Sequence, residues 1–268
     1  MHRVPVPKAR YTFARHLRIS TLIVSSFGSL FCATAFSSNH SSLSSRDVGV
    51  CNYNNKRAYT AMSIAATASR RAVGKLRPAD AALLVCDVQE RFRHLVHGME
   101  TVISTTKFMT AVARELDVPI VVTQQYTKVF GPTIADALSD PTVLGATPSP
   151  VFEKKKFSML TDECCFHLNS LGRTSFVLVG IEAHVCVQQT ALDLLELGHD
   201  VHVICDGVSS QRRHDREVAL RRMEISGAYL TTAQSAAFML LGGADHPNFK
   251  AVSGLVKDHA MLRNEFDE

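Results

Sequence analysis

Apolar residues recur along this chain in two alternating patterns. Nearly continuous runs stand at Ala82–Val88 (ALLVCDV), Ile120–Thr123, Phe176–Ile181 and Val201–Cys205, with shorter ones at Val151–Phe152 and Ala228–Thr231. Runs of that kind are what strands look like when both faces of their sheet are covered. Between them lie longer stretches with apolar positions at helical spacing: Met99–Leu116, Leu160–Leu171, one opening near His184, His214–Ser226, Ala233–Leu241 and His246–Met261. Strands alternating with helices predict βαβ units and a parallel sheet. The expected fold is a Rossmann-like three-layer α/β/α sandwich with a mostly parallel sheet of about six strands. Gln124–Pro150, interrupted by Gly131–Pro132, reads as a long loop.

The pattern does not extend to the first seventy residues. Residues 1–70 carry nine Lys/Arg against one acid, and residues 71–268 carry 20 against 24. The net charge of +4 therefore hides a basic leader ahead of a mildly acidic domain. The leader is rich in Ser, Thr and Ala, as mitochondrial transit peptides are. Its apolar block, Ser20–Phe36, contains four serines and falls short of the roughly 20 residues that span a bilayer. Residues 1–70 are accordingly expected to be a disordered basic extension or targeting segment, with no stable membrane span, and residues 71–268 the globular domain. Met62 as the natural start is the other reading of the leader. Import places the protein in the mitochondrion; otherwise it is cytoplasmic. An acidic domain offers no broad basic footprint for nucleic acid. The seven cysteines include no CxxC pair and no secreted-type framework, which points to free thiols.

Residues just beyond strand C-termini share one rim of a parallel sheet, where ligands of such folds bind. Here they are Asp87, one or more of Lys154–Lys156, and Cys186 on the first turn of a helix. A helix N-terminus favours a thiolate, a carboxylate can accept its proton, and an ammonium can hold the ion pair. Each residue also has a plain structural reading: Asp87 as a turn cap, the lysines as a solvated patch, Cys186 as a core cysteine. Cys86 and Cys205 lie within strand patterns and read as core. The twelve histidines lack metal-ligand spacing and no Gly-rich phosphate loop is present, so neither a metal nor a nucleotide cofactor is expected.

Five segments in order resemble the isochorismatase-like cysteine hydrolases, in particular the eukaryotic isochorismatase domain-containing proteins. They are LLVCDVQERFR at 83–93, QQY…GPT at 124–133, VFEKKKFSM at 151–159, VGIEAHVCVQQTALDL at 179–194 and DGVSS at 206–210. The resemblance implies an Asp–Lys–Cys triad of Asp87, Lys154 and Cys186, with Lys154 selected because it stands three residues before Phe157. It also implies a cis peptide at Ile181–Glu182 and an oxyanion hole formed by the backbone N–H groups of Glu182 and Cys186. Gln89, Phe92, Tyr126 and His184 become candidate pocket-lining residues by their nearness to the triad.

Two departures narrow the chemistry. Nicotinamidases of this superfamily carry a D-x-H metal motif where this chain reads Thr123–Gln124–Gln125–Tyr126. True isochorismatases usually lack the nucleophilic cysteine that Cys186 supplies. The resulting expectation is a cysteine-dependent hydrolase of a small amide, carbamoyl or related acyl substrate, homo-oligomeric as many relatives are. The alternatives are a mitochondrial RNA-associated or ribonuclease-like protein, or a catalytically silent scaffold.

Overall fold

The computed structural model describes residues 73–140 and 150–267; the expectations for residues 1–70 lie outside them. Six strands form one all-parallel sheet: β1 (Ala81–Cys86), β2 (Ile120–Gln125), β3 (Val151–Lys154), β4 (Ser175–Ile181), β5 (Asp200–Ser209) and β6 (Tyr229–Thr231). Their order is β3-β2-β1-β4-β5-β6. The chain therefore builds outward from β1 through β2 to β3, then returns to the other side of β1 and builds outward through β5 to β6. The place where the direction reverses, between β1 and β4, is the crevice that such sheets use for ligands.

Every residue of β1 and β4 is buried, as their unbroken apolar runs require. Alternate side chains face opposite helix layers. Leu83, Val85, Val177 and Val179 pack with Val102, Phe108 and Met109 of α1 (Met99–Glu115). Ala82, Leu84, Cys86, Phe176 and Leu178 form a second apolar cluster on the opposite face. It takes in Cys164 and Leu168 of α3 (Asp162–Leu171), Ala191 and Leu194 of α4 (Gln188–Glu196), and Ala219 and Met223 of α5 (Arg213–Ile225). Two further helices, α6 (Ala233–Leu241) and α7 (Phe249–Ala260), join the layer of α1. The result is the expected three-layer sandwich.

Some boundaries depart from the sequence pattern, and polar groups explain why. The expected loop at Gln124–Pro150 begins two residues later, because Gln124 and Gln125 continue the ladder opposite Glu153 and Lys154. It also contains a single helical turn, α2 (Thr127–Phe130). Asp206–Gly207 looks like a turn that ends its strand, yet β5 runs on to Ser209. The Asp206 carboxylate instead accepts the amide of Ala233 at 2.8 Å, at the start of α6. Pairing with β4 shifts register there, so a locally irregular strand resumes where its sequence suggests an end.

One buried histidine gives this core a pH dependence. His202 in β5 is 1% exposed, stacks on Tyr229 of β6 with ring centroids 5.0 Å apart, and leaves its Nε2 without a hydrogen-bond partner. Burial pushes its pKa from 6.5 down to about 4, because a charged imidazolium has nothing there to replace water. The unfolded chain then binds more protons than the folded one between those two values. Stability is fully present above the unfolded pKa and falls as pH drops from 6.5 towards 4, by up to roughly 3 kcal/mol. Urea titrations across that range should show His202→Phe, which keeps the stack, losing less stability than wild type. Parallel losses in the two proteins would assign the acid sensitivity elsewhere.

Candidate active site

Asp87 stands one residue beyond β1 with φ of +51°, a left-handed conformation that Asp tolerates better than most residues. Its backbone amide still donates to Thr123 of β2 at 3.2 Å. Its carboxylate is buried and fully engaged. Oδ1 accepts from the Thr123 hydroxyl at 2.8 Å, and Oδ2 accepts from Lys154 Nζ at 2.6 Å and from the Cys86 thiol at 3.7 Å.

Lys154 is the last residue of β3, and its side chain is 0% exposed. Its ammonium also donates to Gln125 Oε1 at 2.7 Å and to the Phe157 carbonyl at 2.8 Å, with the Lys156 carbonyl at 3.2 Å. Burial opposes this charge most strongly. The negative charge that Cys86, Asp87 and Cys186 can carry, together with the hydrogen bond to Asp87, outweighs burial and raises the lysine pKa above its ordinary value. The three adjacent lysines thus have three different fates. Lys155 lies over the Tyr126 ring at 5.3 Å, Lys156 reaches Asp193 at 3.4 Å and the Leu160 carbonyl at 3.0 Å, and only Lys154 turns inward.

Across the β1–β4 boundary, Gly180 makes the approach possible. Its φ is +122°, and a Cβ there would collide with the carbonyl of Cys86, its partner in register. The following peptide, Ile181–Glu182, is cis. Ala183–Val187 then forms a single π-type turn before α4, so Cys186 sits in a widened first turn rather than a regular one. The Glu182 carbonyl accepts from the amides of Val185 and Val187, at 3.0 and 3.2 Å, and passes over the Cys186 amide between them. Cys186 is 7% exposed. Nearby, burial pushes the pKa of the Cys86 thiol well up, and the neighbouring Cys186 and Asp87 raise it further. A hydroxyl ties the two sides together: Thr190 donates to the Cys186 carbonyl at 2.7 Å and accepts the Met159 amide at 2.9 Å.

The remaining candidates divide. Gln89 is buried and braces the surrounding loops, donating to the carbonyls of Gln125 (3.0 Å) and Gly131 (2.6 Å) and accepting the Gln125 amide (2.7 Å). Phe92 stacks on Phe130 at 5.0 Å. Tyr126 is partly exposed under Lys155. His184 faces β5, with its Nδ1 2.9 Å from the Ser210 hydroxyl and 4.0 Å from Glu182, which is itself held by Gln211. Thr123, Gln125 and Cys86 escaped the sequence reading although they touch Asp87 or Lys154. Strand alternation offered a signal for the first two, since residues 123 and 125 must share a face. A cavity of about 150 Å³ lined by Thr101, Ser104, Asp206 and His259, among others, shares no residue with this cluster. Among the described residues, no three His, Cys, Asp or Glu side chains are grouped to hold a metal, and no helix is long and apolar enough to cross a membrane.

Comparison with known proteins identifies the family. Residues 81–235 match the isochorismatase domain. The chain belongs to the isochorismatase family. Among relatives, the secreted isochorismatase effector Isc1 of Phytophthora sojae is 45% identical over 208 residues, which span 77% of this chain and 98% of Isc1. Isochorismatase domain-containing protein 2 of Xenopus laevis is 40% identical over 72% of this chain and 91% of its own length. Among solved structures, the MAR1 ribonuclease of Caenorhabditis elegans is 39% identical, covers 70% of this chain and 97% of that one, and superposes with a TM-score of 0.63. This family of α/β hydrolases thus accounts for the fold.

In this family member the Asp87–Lys154 pair is the most demanding element to bury. Lys154→Met leaves a buried carboxylate without its counter-charge and should cost about 3–5 kcal/mol in urea unfolding. Pairing it with Asp87→Asn should recover part of that loss, because the two residues act as one unit. The lysine pKa is raised in the fold, so its contribution is complete below the ordinary value of 10.5 and is lost as pH rises through the higher folded value. Wild type should therefore lose stability above about pH 10.5 more steeply than Lys154→Met. Equal slopes, or a cost under ~1 kcal/mol, would show that the pair is solvated.

Proposed function

We propose that this protein is a cysteine-dependent hydrolase of small amide, carbamoyl or related acyl substrates, acting through Asp87, Lys154 and Cys186. The observation that carries this reading is the buried Asp87–Lys154 pair, 2.6 Å apart, placed beside a cysteine at the start of a helix. A pair this buried is costly to maintain as structure alone, and its ammonium is close enough to Cys186 for a thiolate there to interact favourably with it.

The Cys186 proton passes to Asp87, and the thiolate attacks the substrate carbonyl. Charge moves to the carbonyl oxygen, where the N–H groups of Glu182 and Cys186 serve as donors, worth about 3–4 kcal/mol each. The arrangement of the Glu182 carbonyl, which engages Val185 and Val187 rather than Cys186, supports that role. As the tetrahedral intermediate collapses, the carbon–nitrogen bond breaks and Asp87 returns the proton to the departing amine. Water then adds to the thioester and gives its proton to Asp87; collapse expels the Cys186 thiolate and releases the acid, and Asp87 returns the proton to the sulfur. Lys154 keeps the carboxylate oriented throughout.

The name of the nematode relative, MAR1 ribonuclease, raises RNA as a second reading. The excess of acids over bases in residues 71–268 argues against a tight polyanion site. A panel of simple amides, carbamoyl compounds, isochorismate and RNA, run on wild type and on Cys186→Ala, decides between them. Amide or carbamoyl turnover should fall at least about 10³-fold in the variant while its circular dichroism spectrum and melting temperature are kept. Amide turnover at the wild-type rate in that variant would overturn the thioester mechanism. RNA cleavage that survives it, with the amides inert, would transfer the reading to a nuclease.

A further inference from the structure

The parallel ladder between β4 and β5 ends at Ile181 opposite Ser209. Beyond that point side chains hold the two strands' continuations together. The Glu182 carboxylate accepts the Gln211 backbone amide on Oε2 at 2.9 Å and the Gln211 side-chain Nε2 on Oε1 at 3.0 Å. The His184 amide donates to the Ser210 hydroxyl at 3.4 Å, and His184 Nδ1 lies 2.9 Å from the same oxygen. Gln211 thus engages both oxygens of one carboxylate, and hydrogen bonds to an ionised acceptor are the stronger kind. The segment that supplies these groups is itself fixed. The Ser210 carbonyl accepts the His97 amide at 3.0 Å, and Arg216 of α5 donates through Nε to the Val208 carbonyl at 2.9 Å.

In the proposed reaction the backbone N–H of Glu182 meets the oxyanion, yet the same residue carries a carboxylate whose side chain is only 15% exposed. Left free, that carboxylate opposes catalysis in two ways. Its charge repels the charge developing on the substrate oxygen, most strongly where water is excluded. As an acceptor on a short side chain, it also competes for the N–H groups of the hole. Gln211 answers both by binding its two oxygens. It does so from the β5 side of β4, opposite to the β1 side on which Asp87 lies. We infer that Gln211 is a positioning residue for the reaction: acting through the Glu182 carboxylate, it keeps that charge out of the oxyanion hole and holds the Glu182 N–H in place. This inference rests on the reading of Cys186 as the nucleophile and of the Glu182 N–H as an oxyanion donor. Gln211 itself is exposed and takes part in no bond-making step.

The test uses the full chain and two reagents for Cys186, with labelling located by peptide mass spectrometry. Acrylamide takes the thiolate at its β-carbon: the sulfur–carbon bond forms, the carbon–carbon π pair shifts charge onto the amide oxygen, and a proton from water then reaches the α-carbon. Iodoacetamide exchanges iodide for sulfur and places no new charge on oxygen. The ratio of the two rate constants therefore reads the oxyanion hole and cancels changes in the thiol. Gln211→Ala removes the side-chain bond, keeps the backbone one, and should lower the acrylamide-to-iodoacetamide ratio about threefold. Gln211→Glu sets a second carboxylate against the first and should lower it about tenfold or more. Glu182→Gln combined with Gln211→Glu again places an amide against a carboxylate and should recover most of that loss. On an amide or carbamoyl substrate turned over by wild type, kcat should fall with the ratio while KM stays within about twofold. An unchanged ratio in Gln211→Ala and Gln211→Glu would overturn the inference, as would equal slowing with both reagents; if Gln211→Glu does not fold, Gln211→Ala decides alone. A wild-type ratio no higher than that of N-acetylcysteine removes the oxyanion hole and the role of Gln211 with it. A Cys186 inert to both reagents in native wild type removes the nucleophile as well.

Discussion

Most of the site follows from one requirement: an ammonium with no access to water needs acceptors for all its protons. Lys154 obtains them from Asp87, Gln125 and the carbonyls of Phe157 and Lys156. Meeting that demand fixes the end of β2, which must present Gln125, and the path of the chain after β3, which must fold its carbonyls back. It also fixes Asp87 in a left-handed conformation beyond β1. The Thr190 hydroxyl then couples the loop after Lys154 to the helix of Cys186. A geometry that is expensive to bury is thereby shared among four of the six strands.

The sheet order explains why these residues meet at all. Asp87 and the Cys186 turn flank the reversal between β1 and β4, while Lys154 arrives from the edge strand β3, two positions away. A lysine side chain is long enough to cover that distance beneath β2, and Thr123 and Gln125, on one face of β2, form the floor it crosses. Gly180 allows the two central strands to meet closely, its missing Cβ leaving room for the Cys86 carbonyl.

Much of this was legible in the residues. Strands buried on both faces advertise themselves as apolar runs, so the layers and the parallel sheet were plain, and three rim residues could be named from strand ends. The parts that were not legible are those where polar groups act inside the sheet. Thr123 and Gln125 looked like the start of a loop because polar residues usually mark one; here they serve a buried cation. Asp206–Gly207 looked like a stop because its carboxylate usually caps its own turn; here it caps a distant helix. Spacing alone could not single out one lysine of three, since the choice depends on which position the edge strand directs inward. Cys86 passed for core because burial is the ordinary state of a free cysteine; its thiol also reaches the Asp87 carboxylate, which a strand pattern does not announce.

The distance along the chain between Cys186 and the Asp87–Lys154 pair has a consequence for synthesis. The ribosome delivers the carboxylate and the ammonium within residues 81–154, a segment that already contains three adjacent strands of the sheet. The exposed edge of that half-sheet is β1, the strand that ends directly before Asp87. The next strand to cover that edge is β4, and the same short segment brings the thiol immediately behind it. Closure of the sheet and delivery of the sulfur are thus one event in the life of a nascent chain. Before it the site is chemically incomplete; after it the site is sealed.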